Sequence, residues 1–147
     1  MGLIVLDTSA VAGYLDAGDA LHDAAEAAIS RLARERHFFG ASAVTWSELM
    51  VGVGLGYYAD DDVRGLFDDM AIEILVVDLA IAERAAALRS ASICAHRSKR
   101  DVPNLRLPDA LILATAELAR DSIAAVAGDR RWGTVPGLSI DVISLAA

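Results

Sequence analysis

The sequence predicts a single α/β domain, a three-layer sandwich with a mainly parallel central sheet and helices on both faces. Three features predict it. Short, unbroken apolar runs such as Leu3-Ile4-Val5-Leu6 and Ile123-Ala124-Ala125-Val126-Ala127 have the length and bounds of strands buried on both faces. These runs alternate with stretches of helical periodicity, the pattern of strands joined by crossover helices. The 147 residues, 55% of them hydrophobic, make one ordinary domain able to cover its own core.

Taken in order, Leu3 to Leu6 forms the first strand and ends at Asp7. Asp7, Thr8 and Ser9 then offer capping groups for a helix through Tyr14 and Leu15. A second helix from about Ala20 to Arg36 places Leu21, Ala25, Ala28 and Leu32 on one side. His37 to Ala41 reads as a strand, and Ser42 or Thr45 caps a helix carrying Val44, Trp46, Glu48, Leu49 and Val51, with glycines weakening its far end. Asp60-Asp61-Asp62 suits a helix start, since acids complement the positive end of the helix dipole, and that helix runs to about Met70. A strand through Ile72 to Val77 and an alanine-rich helix to about Ala95 follow. Pro108 opens another helix through Leu118, because proline fits a first turn whose N–H has no partner to lose. Ile123 to Ala127 is a strand, Gly128 to Gly137 a loop, and Ser139 to Ile143 the last strand.

Composition excludes several classes. Acids such as Glu73, Asp78, Asp109 and Glu117 interrupt the richest apolar regions before any reaches membrane-spanning length, so a soluble protein with no membrane partner is expected. No basic segment precedes the first apolar run, which therefore reads as part of the fold rather than as a secretory signal. The lone Cys94 forms no internal disulfide and fits a reducing, cytoplasmic location. The net charge of −8 opposes general attraction to nucleic acid. Positive charge is uneven, however: within residues 96 to 106, Arg97, Lys99, Arg100 and Arg106 face only Asp101, a stretch best read as a solvated loop. Gly52-Val53-Gly54-Leu55-Gly56 follows a helical pattern and has Tyr57 where a dinucleotide fingerprint needs its third glycine.

Four acids stand apart. In an open parallel sheet, ligands bind beyond the carboxyl ends of the strands where strand order reverses. Asp7 and Asp129 follow two apolar strands that, laid side by side, bring both carboxylates together. Asp109 lies in the first turn of the helix opened by Pro108, and Glu48 sits among apolar neighbours on its helix, where burial without a partner is costly. Taken singly, each acid serves equally as a cap, a dipole partner or a solvated group.

Four segments resemble the PIN-domain family, specifically toxins of the VapC type. They are Val5-Leu6-Asp7-Thr8-Ser9-Ala10, Trp46-Ser47-Glu48-Leu49, Leu107-Pro108-Asp109-Ala110-Leu111-Ile112-Leu113-Ala114-Thr115-Ala116 and Gly128-Asp129-Arg130-Arg131-Trp132. The segment around Asp109 is the most specific, and the order and separation of all four span nearly the whole chain. The resemblance implies an endoribonuclease dependent on Mg²⁺ or Mn²⁺, with Asp7, Glu48, Asp109 and Asp129 as its acidic site. It also implies an RNA substrate, a homodimer, and a small cognate antitoxin that often lends a basic residue to the acidic pocket. One departure is Ala127, where the family commonly has Thr or Ser two residues before the last acid.

Phosphodiester hydrolysis needs an in-line water, charge relief on the phosphate and stabilisation of the departing oxygen. Mg²⁺ keeps several waters and takes few carboxylates, so Asp7, Asp109 and Asp129 are expected as the main metal shell, with Glu48 positioning water or a second ion. Close carboxylates are expected to raise at least one pKa by repulsion. Thr8, Ser9, Arg130 and Arg131 are candidate substrate contacts, although helix capping is the commoner role for Thr8 and Ser9. Trp132 is expected to pack against the fold. His22, His37 and His96 belong to no catalytic motif and suit surface or structural roles. Two rival functions remain: a PIN-like module that binds RNA or protein without turnover, and an aspartyl-nucleophile phosphatase using Asp7, which lacks the second acid that such enzymes carry at the position of Ser9.

Overall fold

The computed structural model describes residues 1–99 and 102–146. Its elements run β1 (Leu3–Leu6), α1 (Thr8–Leu15), α2 (His22–Arg34), β2 (Phe38–Ser42), α3 (Ala43–Gly54), α4 (Asp60–Asp69), β3 (Glu73–Leu75), α5 (Leu79–Ala95), α6 (Leu107–Leu118), β4 (Ser122–Ala127), a 3₁₀ helix (Arg130–Thr134) and β5 (Asp141–Ser144). The five strands form one sheet in the order β3-β2-β1-β4-β5. Every pairing is parallel, so the expected mainly parallel sheet is wholly so.

Both faces are covered, and the alternation along each strand shows how. On β1 and β4, Ile4, Leu6, Ala124 and Val126 join one buried cluster with Ala10, Val11, Ile29, Leu49 and Phe67. That cluster draws on α1, α2, α3 and α4. The opposite set, Leu3, Val5 and Ala125, packs with Ala116 of α6, while Ala127 lies with Leu113, Ala114 and Trp132 in an adjoining cluster that α5 completes through Ile81 and Leu88. A strand buried on both faces has no polar side to show, which is why these segments read as unbroken apolar runs.

Sequence boundaries differ from the observed ones mostly at strand and helix ends. β3 is three residues rather than six, and Val76 and Val77 lie beyond it. As an edge strand, β3 has one ladder neighbour, β2, so its propensity outruns the pairing available. The stretch from Gly128 to Gly137, expected as plain loop, contains the 3₁₀ helix, which Asp129 opens by accepting a hydrogen bond from the Arg131 N–H. The glycines of α3 do not end it early: a Cβ on Gly52 would stand 2.5 Å from Tyr58, so that glycine serves close packing. In the basic stretch, Arg97 and Lys99 are exposed, while Arg100 and Asp101 lie outside the described residues. Among the described residues, no helix is long and apolar enough to cross a membrane.

The order of strands fixes where chemistry can occur. From β1 the chain moves outward to β2 and β3, then crosses back over the sheet to β4 and β5, so strand order reverses between β1 and β4. Those two strands pair from Leu3 to Leu6, with Leu6 opposite Val126, and both end at this crevice. Leu113, fully buried in α6 behind the crevice, tests the packing that supports it. Leu113→Ala should destabilise the fold by about 2–5 kcal/mol, through lost apolar transfer and the cavity left behind. A urea-unfolding difference below about 1 kcal/mol would show that this helix face is not part of the core.

Candidate active site

Asp7 is the most deeply buried acid of the crevice, only 4% exposed. It follows β1 directly and adopts the extended conformation of an N-cap residue. One carboxylate oxygen accepts from the Ala10 N–H at 2.7 Å. The other accepts from the Ser9 hydroxyl at 2.7 Å and from the Gly128 N–H at 3.4 Å. The same Gly128 N–H also donates to Ser9 Oγ at 3.0 Å, so one side chain ties the ends of β1 and β4 together while capping α1. Gly128 is required here, because a Cβ would stand 2.5 Å from Ser9 Oγ and 2.8 Å from Leu21 Cδ1. Asp7 does the capping of α1; Ser9 orients Asp7 and Thr8 turns to Glu48.

Burial pushes the Asp7 carboxyl up from 3.8 to about 6, against the lowering effects of its hydrogen bonds to Ser9, Ala10 and Gly128. Asp109 adds the last and smallest contribution, so desolvation rather than carboxylate repulsion governs the shift. The expected carboxylate repulsion is present, but as the smallest of the causes.

The other three acids reach the same cleft from separate elements. Glu48 projects from α3, a turn beyond the buried Thr45, and accepts from the Thr8 hydroxyl at 2.7 Å. Asp109 projects from the first turn of α6, 3.3 Å from Arg106 Nε. Asp129 follows β4 and is gripped by Arg131, whose Nη2 stands 2.6 Å from Oδ2 and whose Nε lies 2.9 Å from Oδ1. The Arg131 hydrogen bond leads in holding the Asp129 carboxyl below the usual carboxylate range, with the charge of Arg130 a smaller contribution. Asp7, Glu48, Asp109 and Asp129 therefore line one cleft, together with Thr8, Ser9, Arg106 and Arg131.

Convergence on a cleft is not yet a coordination shell. Among the described residues, no three His, Cys, Asp or Glu side chains stand together as a direct cation-binding group. The reason is local: Asp7 is turned inward to its three donors, and Asp109 and Asp129 are each neutralised by an arginine. The donor set is nonetheless all oxygen and anionic, which fits a hard divalent cation that retains much of its water and takes one or two carboxylates directly.

Two features escaped the sequence. Arg106 lies in exposed loop as expected but also borders the cleft, raised above the usual guanidinium range first by its hydrogen bond to Asp109, with Glu48 a minor contributor. Its position directly before the Leu107-Pro108-Asp109 helix start was the available signal. Trp132 packs in the core as expected, at 4% exposed, yet also lines the cleft. Two histidines are structural: His22 Nδ1 lies 2.8 Å from the Gly13 carbonyl, and His37 Nδ1 accepts from the Gly2 N–H.

A family model described as PIN domain matches residues 4–138. In three dimensions the chain is similar to VapBC2 from Rickettsia felis bound to a DNA fragment from its promoter, with a TM-score of 0.70, 16% identity, and coverage of 97% of this chain and 98% of that one. A toxin–antitoxin complex from Klebsiella pneumoniae aligns with a TM-score of 0.64 at 25% identity, covering 97% of each chain. VapC20 from Mycobacterium tuberculosis, a sarcin-ricin loop cleaving toxin, aligns with a TM-score of 0.62 at 19% identity, over 90% of this chain and 95% of that one. Among curated protein sequences, none matches this chain significantly.

The raised Asp7 carboxyl has a stability consequence. Its folded-state value lies above its unfolded one, so its favourable contribution is complete below pH 3.8 and is lost as pH rises through about 6. The full change is worth about 3 kcal/mol. In EDTA, Asp7→Asn should therefore gain about 2 kcal/mol on wild type between pH 4 and pH 7.5 by urea unfolding. A difference that stays flat across that range would show that Asp7 is not desolvated.

Proposed function

This chain belongs to the PIN-domain family, and we propose that it is a divalent-metal-dependent endoribonuclease, the toxin of a toxin–antitoxin pair. The observation that carries the reading is the convergence of four carboxylates, from β1, α3, α6 and the end of β4, on one cleft at the strand-order reversal. A scaffold that spends four separate elements on one acidic cleft is built for a hard cation and a phosphate.

Asp7, Asp109 and Asp129 would hold the ion, Mg²⁺ or Mn²⁺, with part of the contact through water. The ion supplies charge relief for the phosphate and lowers the pKa of water. Glu48, oriented by Thr8, faces the cleft as the group that positions the attacking water and accepts its proton. Ser9 keeps the Asp7 oxygens in fixed directions. Arg106 and Arg131 neutralise Asp109 and Asp129 in this structure and contact the scissile phosphate when RNA enters, each exchanging a carboxylate partner for a phosphate oxygen. Arg130 adds positive charge beside Asp129. This local pairing answers the net charge of −8: cation and arginines, rather than the overall field, meet the RNA.

The aspartyl-nucleophile reading is disfavoured by Ser9, which stands where such enzymes carry their second acid and here donates its hydroxyl to Asp7. The binding-module reading draws on Ala127, whose fully buried methyl supplies no hydroxyl near Asp129. A cognate antitoxin accompanies the proposed toxin role, in line with the toxin–antitoxin complexes the fold resembles, and a homodimer and a cytoplasmic location are part of the same proposal.

Purified protein with labelled total RNA in Mg²⁺, Mn²⁺ or EDTA tests the proposal. Discrete cuts should require the ion and fall by about 100-fold or more in both Asp7→Asn and Asp109→Asn. RNA binding with no cleavage by the wild type under any ion would favour the binding module instead.

A further inference from the structure

A second pocket opens beside the acidic cleft and shares Arg106, Asp109, Asp129, Arg131 and Trp132 with it. Its own walls include the apolar Val102, Pro103, Leu105, Val135 and Pro136, with Ser92, His96, Asn104 and Thr134 as polar groups. The volume is about 150 Å³, a size that in an apolar protein cavity admits a single six-membered aromatic ring. His96 Nδ1 is sealed from solvent and has no hydrogen-bond partner among the described residues, so contact of His96 with a ligand in the pocket comes from the rest of its ring. The two arginines stand on the border between pocket and cleft.

Resting on the ribonuclease reading, we propose that this pocket takes one unpaired pyrimidine base of the RNA, from the nucleotide adjoining the cleaved phosphate. Sequence-specific RNA recognition targets unstacked bases, which need a flat apolar slot plus one or two polar groups reading the base edge. Here the apolar walls supply the slot, His96 and Asn104 read the edge, and the backbone phosphate falls over Arg106 and Arg131. A protein side chain would satisfy the apolar walls equally, and its occupancy is the outcome in which the RNA crosslinks fall elsewhere. The slot thus sets the base preference of cutting.

The test uses full-length protein in EDTA, where turnover is not required, and short single-stranded RNAs carrying 4-thiouridine at successive positions. Photocrosslinked residues are mapped by mass spectrometry, and base preference at the cut is read separately with a randomised RNA pool in Mn²⁺. Crosslinks should fall on residues 96, 102–104 and 132–136 and drop about tenfold in His96→Ala and in Val102→Phe, which fills the slot from an exposed position. The pool should show a pyrimidine preference beside the cut that both variants relax. Cleavage by wild type with crosslinks elsewhere, or with a base preference unchanged in both variants, overturns the pocket and leaves the ribonuclease standing. RNA that neither crosslinks nor is cut overturns both.

Discussion

The burial of one carboxylate at the meeting of two strands governs much of this structure. Asp7 caps α1, accepts from Ser9 and reaches the backbone of Gly128, while its own N–H donates to the Val126 carbonyl. Two of these four hydrogen bonds, from the Gly128 N–H and to the Val126 carbonyl, hold the ends of β1 and β4 in register where strand order reverses, and the other two fix Asp7 at the start of α1. The interaction is unfavourable for the charged form and favourable for the geometry. A group whose desolvation is only partly offset by three donors is primed for a positive partner, and the cleft opens on that side.

Asp7 and Asp129 end adjacent strands yet are pushed in opposite directions. Dehydration lifts the first, and a two-pronged arginine contact lowers the second. Arg131 comes from the 3₁₀ helix that Asp129 itself opens, so the turn and the ion pair are one local device, two residues apart. Arg106 and Asp109 repeat it across the first turn of α6. The acidic site therefore arrives with its own countercharges, an arrangement that keeps four acids in one cleft without a large electrostatic cost.

The architecture tolerates wide change in sequence because its demands are few. A chain 16% identical in sequence shares the fold over almost its full length. What the sheet needs is small or branched apolar residues on both faces of β1 and β4 and close approach of α6, which the alanines at 110, 114, 116, 125 and 127 permit. Ala127 belongs to that packing set, sealed with Leu113 and Trp132. Ser9 supplies the hydroxyl that fixes Asp7.

Local pattern was enough for the strands, the α-helices and the parallel sheet, whereas the four acids were singled out as a set through the family resemblance rather than by spacing. Each depends on short-range physics: two-sided burial removes polar residues from a strand, proline and acids mark a helix start, and a strand ending in Asp marks a crevice. The length of β3 was not legible, because strand ends are set by neighbouring hydrogen bonds rather than by propensity. Nor were the partners of the acids. Arg106 reads as one charge in a basic loop, and only the return of the chain at Leu107 turns it to Asp109. The leading cause of the Asp7 shift is likewise tertiary, since desolvation depends on everything packed around a group. Sequence by itself determined which chemical groups the protein possesses and on which elements they ride; the folded structure alone decided that the acids share one cleft and how deeply each is buried, because that depends on contacts such as Asp7 with Gly128, 121 positions apart.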